Sequence, residues 1–406
     1  MSRSVVITGL GCISALGRDV TEFWDAIQQG HSGIGPLQNI STERMTTPIG
    51  AEVDNFVPEE HISAKELSFF DRFSQLAFVA TKEAILDSTL EKSKLRPAAV
   101  VLGTSCGAEK TYEETYERLY VQGKSRAHPL TVPKAMHSAA VSQISMYHGI
   151  TGPVFTVSSA CSSAAHSVIQ AVQMIRLGLV DVVIAGGAEA PFSFGLMKAW
   201  EGLKVLSHDT CRPFSVNRSG LVMGEGAGMV VLESLEHAEN RQANIYCELA
   251  GFGMSSDAGH ITAPSVVGAS CAIEAALLDA KLSANEIDYI NAHGTGTQAN
   301  DVTETAAINR VFDIHADKLA VSSTKSMHGH PLGASGGLEL VATVKAMQDG
   351  VVPPTANFTE AGEGCNLDYV PNVARDMKIN AAISNSFAFG GLNAVLVVRS
   401  LSKNLS

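Results

Sequence analysis

Val154-Phe155-Thr156-Val157-Ser158-Ser159-Ala160-Cys161, continued at once by Ser162-Ser163-Ala164-Ala165-His166, passes from a β-branched run through small polar residues into helically spaced apolar ones. A short apolar run closed by small residues reads as a buried strand with a tight exit, and the stretch from Ser162 onward reads as an amphipathic helix. Segments of this kind recur. The first half carries Val5 to Thr8, Ala98 to Thr104, Val154 to Ser159 and Asp181 to Gly187; the second carries Tyr246 to Gly251, Tyr289 to Thr295, Leu319 to Ser323 and Ala381 to Asn385. Gly103-Thr104 and Gly294-Thr295 close the second member of each series, and Val157-Ser158-Ser159 and Val321-Ser322-Ser323 close the third, which implies an internal duplication. Helix-period segments lie between them at Phe73 to Leu86, Ser163 to Leu177, Ala269 to Ala280 and Leu338 to Gln348. The expected architecture is α/β, with two similar halves, 1–250 and 251–406, sharing one core. Glu109 to Tyr147 and Pro191 to Gly220 read as insertions on the first half.

Composition fits that architecture. At 406 residues the chain exceeds one ordinary domain, yet no linker-like stretch divides it. With 45% hydrophobic residues, 17% charged and 36 glycines, it suits sheets covered on both faces. A formal charge of −12 argues against nucleic acid or an anionic membrane as the main partner. The seven cysteines form no C-x-x-C pair and are odd in number, which disfavours a disulfide framework or a structural zinc site and points to a reducing cytoplasm. Ser4 to Gly11 reads as a buried strand rather than a signal peptide. No apolar run approaches the roughly 18 to 20 residues of a membrane helix.

Three residues stand where chemistry is done. Cys161 lies between a strand end and a helix start, near unpaired backbone N–H groups and the positive helix end, which favours thiolate over thiol. A buried structural cysteine is the competing reading. His293 and His330 each come after a strand among glycines, at exits expected on one side of their sheet; a packing histidine is as common as a catalytic one. A metal site from Cys161, His293, His328 and His330 lacks the usual ligand spacing. Gly224-Glu225-Gly226-Ala227-Gly228 lacks the lysine of a phosphate-binding loop and precedes a strand-like Met229 to Leu232, which excludes nucleotide binding there. The turn at Phe389-Gly390-Gly391 offers N–H groups to an oxyanion.

Taken together, Ser159 to Ser163, Gly224 to Gly228, His293 to Thr297, Lys325 to His330 and Asn385 to Gly391 resemble, in order and spacing, the signatures of elongating β-ketoacyl-[acyl-carrier-protein] synthases over essentially the whole chain. The resemblance implies a thiolase-like fold of duplicated α-β-α-β-α halves in five layers, and a homodimer. It implies that Cys161 takes an acyl group from acyl-carrier protein, with its own N–H and that of Phe389 as oxyanion donors. His293 and His330, as neutral imidazoles, would then stabilise the enolate left when malonyl-carrier protein loses CO2, and a decarboxylative Claisen condensation would extend the chain by two carbons. It further implies that Lys325 acts with the carboxylates Glu304, Glu339 and Asp301, and that Thr295 and Thr297 bond the phosphopantetheine arm. Phe387, Trp200 and Cys106 fall at substrate-binding positions, and Phe389 at the gate between acyl pocket and malonyl entrance. No bound cofactor or metal is implied, because the substrates ride on the phosphopantetheine of the carrier.

Lys65, Lys124, Arg126 and Lys204 match the family's basic docking patch for the acidic carrier. Departures from the pattern concern the carrier preference at Ser68 and Phe69, and the substrate elsewhere. Ser68 and Phe69 replace basic residues, Cys106 replaces isoleucine on the pocket floor and implies a roomier pocket, and Ala388 and Leu392 replace glycine and threonine beside the gate, with altered gate motion expected. Lys325 to His328 and Ala388 also resemble the specialised branch that includes nodulation protein E, associated with unusual unsaturated chains. Two other activities compete: a chain-length partner subunit in a heterodimer, against which the intact Cys161, His293 and His330 count, and a degradative thiolase, disfavoured by His330 and the Lys325 block.

Overall fold

The computed structural model describes residues 3–401. All eight sequence-marked runs are strands: β1 Val5–Ser14, β2 Ala99–Gly103, β3 Val154–Val157 and β4 Val182–Glu189 in the first half, and β6 Cys247–Ser256, β7 Tyr289–Asn291, β8 Ala320–Ser322 and β9 Ala381–Ala388 in the second. Each half adds a fifth strand, β5 Gly226–Ser234 and β10 Leu392–Arg399. The sheet order is β8-β7-β9-β10-β6-β1-β5-β4-β2-β3, so each half runs third, second, fourth, fifth, first from its outer edge inward. That identity of order is the duplication seen in three dimensions. The halves meet where β1 pairs antiparallel with β6, Val6 opposite Glu248 and Ile7 opposite Cys247. Residue 250 therefore lies inside β6, not between elements.

The helices that matter for the site are α1 Arg72–Asp87, α2 Ser163–Arg176, α3 Phe194–Leu203, α4 Val266–Ala280, α5 Gln298–Phe312, α6 Lys325–His328 and α7 Ser335–Asp349. Helices α2 and α7 touch each other and lie between the halves, α2 on β2 and β4, α7 on β5 and β9; α1 covers β1 and β5 from outside, and α4, backed by α5, covers β6 and β10. The result is five layers, helix and sheet alternating.

The sequence of α7 shows why it sits in the middle. Every residue from Ser335 to Val344 is buried, Glu339 included, as in a helix enclosed all round. Burying Leu338, Leu340, Val341 and Val344 contributes roughly 1.5–3 kcal/mol each. Close approach to β5 depends on missing side chains: a Cβ on Gly337 would stand 2.3 Å from the Gly228 carbonyl oxygen, and one on Gly228 2.3 Å from Leu338 N. The Gly224–Gly228 motif thus seats the central helix. The two segments read as insertions are folded, the first carrying helices Glu109–Tyr116 and Ala139–His148, the second α3. Among the described residues no helix is long and apolar enough to cross a membrane.

Candidate active site

Strand β3 ends at Val157, and the chain then turns through Ala160 at φ +50°, a left-handed conformation that costs an alanine about 1 kcal/mol or more. The serines fasten this elbow. Ser163 Oγ accepts from Ser159 N at 2.9 Å and donates to the Ala160 carbonyl at 2.6 Å, while Ser159 Oγ meets His166 Nδ1 at 2.8 Å. The turn presents Cys161 just ahead of α2, on the wall of a narrow cleft shared with His293, His330, Thr295, Thr297, Phe387 and Phe389. Burial pushes the thiol up to about 11, against the pull of the Lys325 charge and of the N–H groups of Phe389 and Cys161 itself. The expectation of a resting thiolate is therefore corrected: desolvation outweighs the helix tip, and the sulfur is a thiol at neutral pH. The two N–H groups expected as oxyanion donors do converge on it.

His330 is clamped by its backbone. Its N–H donates to the Val222 carbonyl at 2.7 Å, and its carbonyl accepts from Gly224 N at 3.1 Å. Its Nε2 lies 3.2 Å from Cys161 Sγ and its Nδ1 2.9 Å from Ser335 Oγ. The His293 ring stands edge-on to it, centroids 5.4 Å apart. Lys325 Nζ reaches His293 twice, at 3.2 Å from Nδ1 and 2.8 Å from the carbonyl oxygen, and pairs with Glu339 in full burial. An ammonium only donates, so Nδ1 of His293 accepts and the ring's N–H is at Nε2. Burial, reinforced by the Lys325 charge, holds both imidazoles well below their usual pKa, so both are neutral at pH 7.

The carboxylates divide differently from the sequence expectation. Only Glu339 touches Lys325; burial raises its pKa and the ammonium opposes that. Glu304 accepts from His293 N and Gly294 N, both at 2.8 Å, and from Asn385 Nδ2 at 3.0 Å, so it tethers the His293 turn. Asp301 does not act on Lys325: it accepts from Phe214 N at 2.7 Å and Gly296 N at 3.2 Å, with Arg218 Nε 3.6 Å away, fixing the Thr295–Thr297 loop. Burial lifts Asp301 to about 6. His328 is removed from any metal reading, since its Nε2 meets Thr324 Oγ1 at 2.9 Å and its ring lies against Phe23. Asn291 Oδ1, Glu339 Oε2, Asn385 Oδ1 and Ser386 Oγ are buried oxygens without a donor, of the kind a hard cation takes. Among the described residues no cluster of three or more His, Cys, Asp or Glu is arranged to hold a metal.

Thr295 and Thr297 face the cleft with hydroxyls 2.9 Å apart. Phe389 lies under Trp200, and the turn beyond it is built on Gly390 and Gly391 at φ +84° and +70°, with Gly390 N donating to the Ile261 carbonyl at 2.7 Å. Ala388 ends β9 without a positive φ; the left-handed angles belong to the two glycines after Phe389. Cys106 does not line the cleft but joins the apolar cluster around Cys161. Lys65, Lys124, Arg126 and Lys204 are all exposed, as are Ser68 and Phe69 beside Lys65. Lys124 and Arg126 share one loop, both fastened to Arg118.

Sequence reading missed Glu189, Ser335 and Val222. Glu189 ends β4 fully buried and accepts from Thr104 Oγ1, Ser105 N and Oγ, Cys106 N, Gly107 N and Gly333 N, tying the Cys106 loop to the turn after His330. A carboxylate closing an otherwise apolar strand was the visible signal. Ser335 carried none, because its meaning lies in a single contact.

The description "Beta-ketoacyl synthase, N-terminal domain" matches residues 2–238, and "Beta-ketoacyl synthase, C-terminal domain" residues 246–359. Nodulation protein E of Rhizobium sp. (strain N33) is 50% identical over 402 residues, 98% of this chain and 100% of that one. The 3-oxoacyl-[acyl-carrier-protein] synthase 2 of Coxiella burnetii (strain RSA 493 / Nine Mile phase I) is 41% identical over 98% of each chain. Two solved structures are similar throughout. The ishigamide ketosynthase/chain length factor has a TM-score of 0.95 at 35% identity, and the type II PKS acyl-carrier protein in complex with its ketosynthase bound to the hexaketide 0.90 at 32%; each match covers 99% of this chain and 100% of the other.

Proposed function

This chain belongs to the β-ketoacyl synthase family, with the thiolase-like fold and the activity of an elongating condensing enzyme, and from that premise we propose how its own residues carry the reaction. Cys161 sulfur attacks the acyl thioester. Its proton passes to the departing pantetheine sulfur, and the oxyanion rests on the N–H groups of Cys161 and Phe389. In the second half-reaction the malonyl carboxylate leaves as CO2, and its bonding pair becomes an enolate whose oxygen accepts from Nε2–H of His293 and His330. The enolate carbon attacks the acyl carbonyl and expels the Cys161 sulfur as a thiolate, which takes up a proton from water to restore the thiol. The observation that carries this reading is the convergence of Cys161 Sγ, His330 Nε2 at 3.2 Å and a His293 whose tautomer Lys325 fixes.

The carrier is an acidic acyl-carrier protein meeting Lys65, Lys124, Arg126 and Lys204, with Thr295 and Thr297 on its pantetheine arm. Support comes from the exposure of all four basic residues and from the solved relative described in complex with an acyl-carrier protein. The working unit is a dimer of this chain, or a pair with a related subunit as in the ketosynthase/chain length factor; β3 is an edge strand with Phe155 exposed on it. We place the reaction in the cytoplasm and, given the likeness to Nodulation protein E, in a specialised acyl pathway.

Intact-mass analysis tests the reading. The protein should gain one acyl group from an acyl-carrier protein, and Cys161→Ala should gain none. An acylated Cys161→Ala protein, or wild type acylated by acyl-coenzyme A alone, overturns it.

A further inference from the structure

We infer that Ser335 is a positioning residue that fixes His330 as the Nε2–H tautomer by donating its hydroxyl proton to Nδ1. The inference rests on the enolate-stabilising role proposed for His330. Ser335 Oγ lies 2.9 Å from Nδ1, and neither residue is more than 1% exposed.

A hydroxyl beside a neutral imidazole nitrogen can donate or accept, and distance alone does not decide which. The surroundings decide. His330 Nδ1 is the only partner within hydrogen-bond reach of Ser335 Oγ among the described residues. Were Nδ1 to carry the proton and donate, the Ser335 hydrogen would be buried with no acceptor, the costly arrangement for a polar group. Ser335 also opens α7, where unpaired N–H groups make the helix end positive. Lone pairs directed toward that end and O–H directed away from it, onto Nδ1, is the favourable orientation. With Nδ1 occupied as an acceptor, Nε2 keeps the hydrogen and holds it toward Cys161 Sγ and the reacting thioester.

The two histidines then have the same tautomer by different means: an ammonium from Lys325 on His293 Nδ1, and a hydroxyl from Ser335 on His330 Nδ1. One cleft receives two N–H donors, which suits an oxygen that gains charge as CO2 departs. Ser335 touches no substrate atom and acts only through the ring.

The test uses the full-length protein labelled with 15N-histidine, with His330→Gln to assign the signals. The expected wild-type spectrum has His330 Nδ1 at the unprotonated shift and Nε2 at the protonated shift; the reverse overturns the inference without any change at Ser335. Ser335→Ala should mix the two tautomers and slow malonyl decarboxylation about tenfold, the effect of one mis-set hydrogen bond in the transition state, while acylation of Cys161 falls less. Ser335→Thr should restore the spectrum and most of the rate. A Ser335→Ala protein with the wild-type tautomer and rate also overturns it. A wild type that shows the expected tautomer yet never acylates Cys161 would instead sink the condensing cycle.

Discussion

The indole of Trp200 stacks on the Phe389 ring, centroids 5.8 Å apart and planes 25° from parallel. The contact joins α3, in a segment read from sequence as an insertion, to the turn that succeeds β9 and directs the Phe389 N–H at the Cys161 sulfur. An aromatic pair of this kind is worth about 1 kcal/mol beyond its buried area. Stacked, Phe389 is held on the wall of the cleft that Cys161, His293 and His330 share, and the gate role implied by the family resemblance would depend on that contact. Trp200→Ala should release it, and malonyl decarboxylation without an acyl donor should rise about fivefold, the rate equivalent of that contact. A steady-state assay for CO2 in the absence of acyl-carrier substrate reads this out; an unchanged uncoupled rate would show that Trp200 does not hold the ring.

Glu189 should matter more than its distance from the reaction suggests. Its two oxygens take six donors, and Glu189→Gln would turn one oxygen into an NH2 group facing N–H groups. Leaving buried donors opposed costs about 2–4 kcal/mol. Urea unfolding should show a loss of that size, and acylation should slow as the Cys106 loop and the Gly333 turn separate. Wild-type stability in the variant would mean that ordered water replaces the carboxylate.

Lys325 and Glu339 form a buried pair whose value is positional. Lys325→Met alone strands an anion in the interior and should cost about 3–5 kcal/mol, whereas Lys325→Met with Glu339→Gln removes both charges and should recover most of that loss. Decarboxylation should stay low in the double variant, because His293 Nδ1 has lost its donor. Parallel measurement of unfolding and CO2 release separates the two effects. Recovery of both would reduce Lys325 to a structural ion.

The fold was largely legible because its signals are local. Val154–Val157 and Ala320–Ser322 are strands for reasons contained in their own residues, and the duplicated order of such runs carried the topology. The fifth strands were harder: β5 was half-visible in Met229 to Leu232, and β10 comes after a glycine turn that drew attention to itself. The side chains that converge in the cleft were legible in part for the same reason, since Cys161 and His293 lie just past strands, whereas His330 comes after α6. Electrostatics were not. Whether Cys161 is thiol or thiolate depends on how much protein surrounds the sulfur, and desolvation is a property of the whole fold. The roles of Glu304 and Asp301, three residues apart on α5, could not be separated by spacing, because one carboxylate reaches the His293 turn and the other Gly296 and Phe214.

His328 offers a clean reading of pH dependence, because it lies outside the reaction. Burial, reinforced by the Lys325 charge, lowers it from the ordinary 6.5 to about 3. The unfolded chain therefore takes up a proton on this ring as pH falls below about 6.5, and the folded chain does not. Stability from this residue is full above 6.5 and falls by about 1.4 kcal/mol per pH unit down to the folded value. His328→Gln retains a partner for Thr324 Oγ1 and does not titrate. Denaturant unfolding at pH 7 and pH 5 should show wild type losing about 2 kcal/mol more than the variant over that interval, the same linkage taken over one and a half units. The variant will be less stable at pH 7, since its amide fits the site against Phe23 less well, so the measurement that counts is the difference in slope. Parallel slopes would mean that the buried ring takes up its proton in the folded protein as readily as in the unfolded one.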